Sequence, residues 1–501
     1  MTPAKSPGSL PLRIHTSALE RASTYHAEKS RPTEYTSSEL SSIIAGLHLH
    51  ASGSIVTLPV EILALIFEIG YHQYTDRISA RMFVLKVSHV SRQWWNVATS
   101  HQILWTDIII FLQSNPLLPL KQSLERSGTL PIDINITSTQ DLDRAILKYL
   151  TQSVFKVIAG YSSRWRTFRA ECLTHANAGD VREGLKTIKA PILEEFKLAT
   201  QGATHHHEAT YLSSGRWSAA PNINDGSIHN VFSGGAVSLR SVTVRHVLCL
   251  PPMQAVRVLH LNTIFNASSY PHDPTVAAIL NNLPLLEKLT IRGSVASTGY
   301  LAVFTPSKVS LPSLISLRML ASEDGRVPQF EFLDAISAPL LESVALEHGC
   351  YSSVRLLANK FPQVRTLAFA PAEILLEAPE QDPQAMMVHL NVVFKNLTHL
   401  IVKSTAQPYT YLQPLEMHVW PAMEDLSISQ LPDSGVMPFC DSLLRRSQVC
   451  PMPRRLLLRG CDKAVVAAVA IGLATRGIDI EVDSSIGDDV LWYEDKEVSR
   501  T

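Results

Sequence analysis

A short phrase recurs between residues 160 and 460, and it constrains the fold more than any other feature of the sequence. The phrase is Pro-x-φ-x-x-φ-x-φ, in which φ is an apolar residue. Weaker copies, in which the proline is missing or displaced, contain Leu259, Leu400 and Leu456. The alternating end of the phrase predicts a short strand with one buried face, and the proline keeps a helix from running into that strand. Six full copies begin at Pro191, Pro284, Pro312, Pro339, Pro362 and Pro421.

Each unit of this kind is too small to bury its own apolar face, so neighbouring units must stack. From Pro284 to Pro362 the successive intervals are 28, 27 and 23 residues, within the period of about 20 to 29 residues that is typical of leucine-rich repeats. We therefore expect residues 161–483 to resemble an irregular leucine-rich-repeat-like solenoid with a parallel sheet. Inserts at 199–235 and 372–393 are expected to protrude as loops. The alternative is a globular α/β domain whose leucine spacing is a coincidence.

Residues 57–109 have a different character, because they are apolar on more than one side. The first predicted helix starts with Pro59 in its first turn and ends near Gly70. A loop, Tyr71 to Ser79, then leads to a second helix predicted from about Arg81 to Val97. About fifty residues cannot bury this much apolar surface on their own. Either the rest of the chain or another protein must cover it.

This segment resembles an F-box, in the F-box-like form common in large fungal families, over about a tenth of the chain. The matching residues are Leu58-Pro59-x-Glu61-Ile62-Leu63, Ile66-Phe67, Val87-Ser88-x-Val90-Ser91-Arg92-x-Trp94, Ala98 and Leu104-Trp105. The resemblance implies an all-α three-helix unit that docks onto a Skp-type adaptor, and through it a cullin. The other interpretation of each residue is packing inside the unit, which we favour for the two tryptophans. For Leu58, Pro59, Ile62 and Leu63 we favour the interface. The implied adaptor-binding residues are Leu58, Pro59, Ile62, Leu63, Ile66, Phe67, Val90, Trp94, Leu104 and Trp105.

The whole chain is therefore predicted to be α/β, with a small helical unit ahead of a repeat region. The connecting segment begins with a helix that ends near Leu124, a turn at Ser127 and Gly128, and a strand from Ile132 to Ile136. A final helix, Ala464 to Ala474, precedes the last strand. The predicted divisions are a flexible tail 1–38, a short helix and linker 39–56, the F-box-like unit 57–109, an α/β connection 110–160, the repeats 161–483 and a polar tail 484–501.

Together these features predict a substrate-recognition adaptor of a Skp–cullin–F-box ubiquitin ligase. Polar residues that flank the inward positions of the strands would bind a target protein. The main alternative is a non-catalytic repeat scaffold whose F-box-like helices pack internally and recruit no ligase. A more distant one is a hydrolase with an irregular site. The candidate target-binding residues are Lys288, Thr290, Arg292, Arg318, Glu347, His399, Lys403 and Arg459.

Composition and motifs argue against several other classes of protein. Lys and Arg number 44 against 45 Asp and Glu, which argues against a nucleic-acid binder held by bulk charge. The sequence contains no P-loop, G-x-G-x-x-G or G-x-S-x-G, so we expect no enzyme activity and no cofactor. The run His205 to His207 lacks the acidic or Cys cluster that would complete a metal site. Six Cys without a C-x-x-C, together with no signal peptide and no membrane-length apolar run, favour a cytoplasmic or nuclear protein.

Overall fold

The computed structural model of the protein forms two compact units, Met1–Trp105 and Thr106–Thr501. The predicted tails 1–38 and 484–501, the linker 39–56, the run His205 to His207 and most of the predicted insert 199–235 lie outside the described residues. Those residues are 58–112, 116–138, 143–173, 175–200, 229–245, 249–262, 280–292, 309–320, 333, 335–347, 360–370, 383–403, 420–429, 431–473 and 478–483.

The described part of the first unit is helical. Its elements are α1 (Val60–His72), α2 (Arg77–Ser88), α3 (Arg92–Ser100) and a 3-10 turn (Gln102–Trp105). They share one apolar core, so these few residues do bury a set of large side chains among themselves. The core consists of Leu63, Phe67, Tyr71, Ala80, Val84, Val87, Val97, Ala98, Leu104 and Trp105.

The predicted second helix, 81–97, is in fact two helices, and capping side chains explain the difference. Asp76 accepts hydrogen bonds from the N–H groups of Ile78 (3.1 Å) and Ser79 (2.7 Å) at the start of α2. Ser91 accepts one from the N–H of Trp94 (3.2 Å) at the start of α3. Each cap satisfies N–H groups that have no partner within the helix. The expected loop Tyr71 to Ser79 is correspondingly shorter, at residues 73–76.

Helix α1 runs past Gly70, the predicted stop, because this glycine serves close packing instead. A Cβ atom at position 70 would lie 2.5 Å from Cζ of Phe83 on α2. The Phe83 ring also packs against Tyr74, with ring centroids 5.7 Å apart. Gly70 therefore sets how closely α2 approaches α1.

The second unit is built on a sheet of fourteen strands, in which every described pair of neighbours is parallel and the strand order follows the chain. Its first strand begins at Asp107, inside the segment that the sequence assigned to the helical unit. The α/β class and the long parallel sheet are confirmed. The strands are β1 (Asp107–Phe111), β2 (Ile132–Thr137), β3 (Trp165–Leu173), β4 (Glu195–Thr200), β6 (Ser241–Arg245), β8 (Val258–Asn262), β9 (Lys288–Arg292), β11 (Ser316–Leu320), β13 (Ser343–Glu347), β14 (Thr366–Ala370), β15 (His399–Lys403), β16 (Asp425–Ser429), β17 (Arg455–Arg459) and β18 (Asp479–Asp483).

Two pairs of short strands and six helices complete the described elements. Strand β5 (His229–Asn230) pairs with β7 (Cys249–Leu250), and β10 (Val309–Ser310) pairs with β12 (Ile336–Ser337). The helices are α4 (Leu117–Arg126), α5 (Arg144–Ile158), α6 (His175–Leu185), α7 (Pro383–Val393), α8 (Asp433–Val449) and α9 (Lys463–Leu473), and further 3-10 turns cover Ala159–Arg164.

Helix α7 contradicts the prediction of a loop over the whole of 372–393. Met387, Leu390 and Val393 are buried in the core of the sheet unit. Their three-residue spacing places them on one side of a helix. The six full copies of the proline phrase and the three weaker ones all end in strands of the sheet.

A backbone hydrogen bond repeats at the start of successive strands. The N–H of Ile315 donates to the carbonyl of Glu287 (2.8 Å), and the N–H of Glu342 donates to that of Ile315 (2.9 Å). The N–H of Arg365 then donates to the carbonyl of Glu342 at 2.9 Å. Each unit is thus held to its predecessor in the same register.

Side chains of the five-residue strands alternate between two faces. The second and fourth residues point into the main core, as Leu289 and Ile291 do in β9. On the opposite face, several first, third and fifth residues are also covered. A small apolar cluster lies there, formed by Leu320, Ala345, Ala368 and Ala370, with Ile401 packed against it.

Candidate functional site

Helix α1 carries two apolar stripes, of which one is buried in the helical core and the other is largely exposed. Leu63, Phe67 and Tyr71 recur every four residues and are buried in the helical core. The second stripe, which we call the α1 stripe, consists of Ile62, Leu65, Ile66 and Ile69. Its side chains are 45%, 52%, 40% and 53% exposed. A helix with one face in a core and a second apolar face in solvent is typical of a surface that binds another protein.

The buried stripe is held by specific contacts with the rest of the unit. The Phe67 and Trp94 rings lie 5.0 Å apart between centroids. The indole N–H of Trp105 donates to the carbonyl of Ala98 at 2.7 Å, and the Arg81 guanidinium lies 4.2 Å from the Trp105 ring. These contacts fix α1 and therefore the direction in which the α1 stripe points.

Two further polar contacts tie α1 to the end of the unit. The side-chain amide of Gln93, on α3, donates to the carbonyl of Leu58 at 3.0 Å. Glu68 Oε2 lies 3.1 Å from Nε2 of His101. Both ends of α1 are therefore anchored.

The structure divides the ten predicted adaptor-binding residues into two groups. Leu63, Phe67, Leu104 and Trp105 are at most 1% exposed and are parts of the helical core, so they have no surface to offer a partner in this conformation. Leu58 and Trp94 are half-buried against the same core. The side chains with a large exposed area are Pro59, Ile62, Ile66 and Val90.

Sequence reasoning missed several exposed apolar side chains of this unit. Leu65 and Ile69 belong to the α1 stripe, and their three- and seven-residue spacing from Ile62 was the signal that identifies them. Trp95 is 48% exposed, whereas its neighbour Trp94 packs on the core. Val60 is also half-exposed, at the first turn of α1.

The eight candidate target-binding residues all occupy first, third or fifth positions of their strands, on the face opposite the main core. Thr290 and Arg318, which are paired in register, are only 8% and 4% exposed. They therefore offer little surface to a partner in this conformation. Lys288 is exposed, and partial exposure remains at Arg292, Glu347, His399, Lys403 and Arg459.

Two of these residues are brought together, and a third, His399, joins a different polar group. Lys403 Nζ lies 3.9 Å from Glu347 Oε1. His399 Nε2 lies 2.8 Å from Asp425 Oδ2, and an Arg455 N–H donates to the same oxygen at 2.7 Å. That hydrogen bond raises the pKa of the Arg455 guanidinium above its ordinary value.

Asp425 was missed by the sequence analysis, although it is paired in register with both His399 and Arg455. Thr398 Oγ1 also lies 2.7 Å from His399 Nδ1. The hydroxyl, imidazole and carboxylate follow the order used by catalytic triads. However, the Thr398 hydroxyl donates to the carbonyl of Arg365 (3.3 Å), and Arg455 shares the carboxylate oxygen. The arrangement is a polar network across three strands.

Within the described ranges, no three His, Cys, Asp or Glu side chains converge to hold a metal ion. None of the helices in that part of the chain combines the length and apolarity that crossing a bilayer requires. The described free cysteines include Cys249, whose burial raises the pKa of its thiol to about 12.

In comparisons with known proteins, no family model matches this chain. A search of curated proteins likewise finds no match.

Proposed function

We propose that the protein is a substrate-recognition adaptor of a Skp–cullin–F-box ubiquitin ligase. Its helical unit would act as an F-box and bind a Skp-type adaptor, which links it to a cullin. The repeat region, acting as a leucine-rich-repeat-like solenoid, would hold a target protein. The adaptor would need no active site of its own, because holding the target near the ubiquitin-loading machinery raises its effective concentration. This activity belongs in the cytoplasm or nucleus.

The observation that carries the proposal is the α1 stripe. Four large aliphatic side chains on one face of a 13-residue helix are 40–53% exposed, while the opposite face is locked into a core. Burying such side chains fully is worth about 1.5–3 kcal/mol each. A partner that covers the stripe would therefore gain a useful part of its binding energy there.

The target would contact the polar face of the sheet. Lys288 is exposed and Arg292, Lys403 and Arg459 are partly exposed, and together with Glu347 they supply charges of both signs. The partly exposed His399 adds a polar ring. Thr290 and Arg318 would act by supporting these side chains from below. A mixed polar surface of this kind suits a protein partner.

The alternative is a scaffold whose helical unit packs internally and recruits no ligase. In that case, substitutions in the α1 stripe would change stability and not adaptor binding. Truncating Leu63 cannot separate the two interpretations, because its buried side chain stabilises the unit under both. Ile62 and Ile66 can separate them, because their side chains are partly in solvent.

The test is binding of the full-length chain to a purified Skp-type adaptor, measured by calorimetry. Ile62→Asp places a charge in the α1 stripe. Ile146→Asp is its matched control, because Ile146 is 51% exposed on α5 in the other unit. The proposal predicts tight binding that is lost in Ile62→Asp and kept in Ile146→Asp. A folded protein that does not bind the adaptor would overturn ligase recruitment and favour the scaffold.

A further inference from the structure

The last strand of the sheet differs from the others in what it leaves exposed. In β16 and β17 the second and fourth residues, such as Leu456 and Leu458, are fully buried. The equivalent residues of β18 are Ile480, which is only partly buried, and Val482, which is 54% exposed. As far as the described residues go, the core of the sheet unit is therefore exposed to solvent at β18.

After its first residue, Lys463, helix α9, which precedes β18, is apolar all round. Val465, Val469 and Leu473 are buried, and the opposite side presents Ala464, Ala467, Ala468 and Ile471. The Ile471 side chain is 78% exposed. A helix that is apolar all round is normally buried, and terminal repeats normally carry a polar outer side. Strand β18 and α9 together are called the terminal surface. The α9 part of this surface lacks a polar side, whereas β18 carries the exposed Asp479 and Glu481.

Strand β18 also has an edge that no other described strand pairs with. Within the described residues it pairs only with β17, in the register Arg455 to Asp479 and Leu457 to Glu481. The backbone groups of its other edge are suited to an added strand. Asp479 and Glu481 point to one side of this edge and are exposed, whereas Ile480 and Val482 point to the other.

We propose that the terminal surface binds an extended segment of another protein, in which basic and apolar residues alternate. The segment would pair with this edge of β18. Its Lys or Arg residues would lie beside Asp479 and Glu481, and its apolar residues would cover Val482. Strand β17 illustrates this complementarity, because Arg455 lies opposite Asp479 in register, with its guanidinium 3.9 Å from Glu481.

Charge argues against two other partners for the edge of β18, namely a second copy of the protein and its own C-terminal residues. A second copy that paired its own β18 here would place acidic residues beside acidic residues, and like charges directly opposite are destabilising. The C-terminal residues 484–501 contain five acidic residues and two basic ones, so they carry the same sign as the edge.

The test uses a fluorescent, end-capped peptide, Lys-Val-Lys-Val-Lys-Val-Lys, and the full-length protein in an anisotropy titration. The control peptide, Lys-Lys-Lys-Lys-Val-Val-Val, has the same composition without alternation. The control variant Glu125→Lys/Asp441→Lys changes net charge equally on exposed positions of α4 and α8. We expect binding of the alternating peptide only, and at least about tenfold weaker binding, or about 1.4 kcal/mol, in Asp479→Lys/Glu481→Lys but not in the control variant.

Val482→Asn provides a second variant without a change of charge, because it removes the exposed apolar side chain that the segment would cover, and it should also weaken binding. Equal binding of the two peptides, or equal loss in the edge and control variants, would overturn the proposal. So would sedimentation showing a dimer that the edge variant dissociates, because the occupant would then be a second copy. None of these measurements involves the Skp-type adaptor, so they stand apart from the proposed ligase role.

Discussion

Truncating neighbouring side chains of α1 should have different effects. Truncation of the buried Phe67 should lower the free energy of unfolding, whereas truncation of Ile62 and Ile66 should mainly weaken adaptor binding. Phe67 is fully buried and packs on Trp94, so Phe67→Ala should lower the free energy of unfolding of the helical unit by about 3–5 kcal/mol. Ile66 and Ile62 are 40% and 45% exposed. The double variant Ile62→Ala/Ile66→Ala should cost little stability by comparison, because much of each side chain already contacts water.

The same double variant should weaken adaptor binding. Nearly half of each side chain is available for burial, which corresponds to about 0.6–1.5 kcal/mol per residue from a full value of about 1.5–3 kcal/mol. Two residues together give about 1–3 kcal/mol, or about a tenfold to hundredfold increase in Kd. Because the effects of neighbouring substitutions do not simply add, this change in Kd is an order-of-magnitude value.

Urea unfolding followed by circular dichroism measures the stability part, and calorimetry with the adaptor measures the binding part. If Ile62→Ala/Ile66→Ala destabilises the protein as much as Phe67→Ala does, the stripe is packed internally and the reasoning is refuted. If stability is kept and the Kd changes less than twofold, the α1 stripe is not the docking surface.

Three further predictions concern the fold. Gly70→Val should destabilise the helical unit by about 1–3 kcal/mol, because its side chain would collide with Phe83, and a thermal melt of the full chain would detect this. Ser91→Ala should cost about 1 kcal/mol by removing the cap on α3, whereas Ser91→Asp should keep most of that stability in the same urea titration. The unfolded thiol of Cys249 ionises near its ordinary pKa of 9.0, and the folded thiol near about 12. Between these pH values the unfolded state loses a proton that the folded state keeps, so the free energy of unfolding should fall by up to about 1.4 kcal/mol per pH unit. Cys249→Ala should remove this part of the pH dependence of stability. An unchanged pH dependence in that variant would contradict the assigned burial.

The sequence was sufficient to predict most strands of the sheet, because these depend on a local alternation of apolar residues, which in six repeats follows a proline. It did not predict β1, which overlaps the segment assigned to the helical unit, or β3 and β6, which lie outside the recurring phrase. It did not predict the break at His89 to Ser91, because Val90 continues the helical spacing and only the cap made by Ser91 interrupts it. The sequence predicted that α1 is apolar on more than one side, but it did not predict which of its apolar residues are buried. Leu63 and Ile62 look alike in the sequence, and only packing against α2 and α3 distinguishes them.

The candidate target-binding face was harder to predict for a similar reason. Alternation correctly assigns Arg318 and Lys288 to the side opposite the main core, but it says nothing about what lies above that side. Arg318 is buried and Lys288 is exposed although they sit on adjacent strands. Asp425 escaped notice because its partners, His399 and Arg455, are 26 and 30 residues away along the chain, and only the register of the sheet joins them.

The order of strands in the sheet, which follows the order of the chain, also bears on how this protein folds. Each strand forms its hydrogen bonds with the strands before and after it, so loop closure for each step spans one unit at a time and not the whole domain. If the sheet unit behaves as the proposed solenoid, folding is expected to start at any well-packed unit and extend in both directions, as quasi-one-dimensional proteins do. A destabilising substitution within one unit would stop the propagation of folding at that unit while its neighbours remain folded. A partly folded chain would then keep one end of the sheet folded.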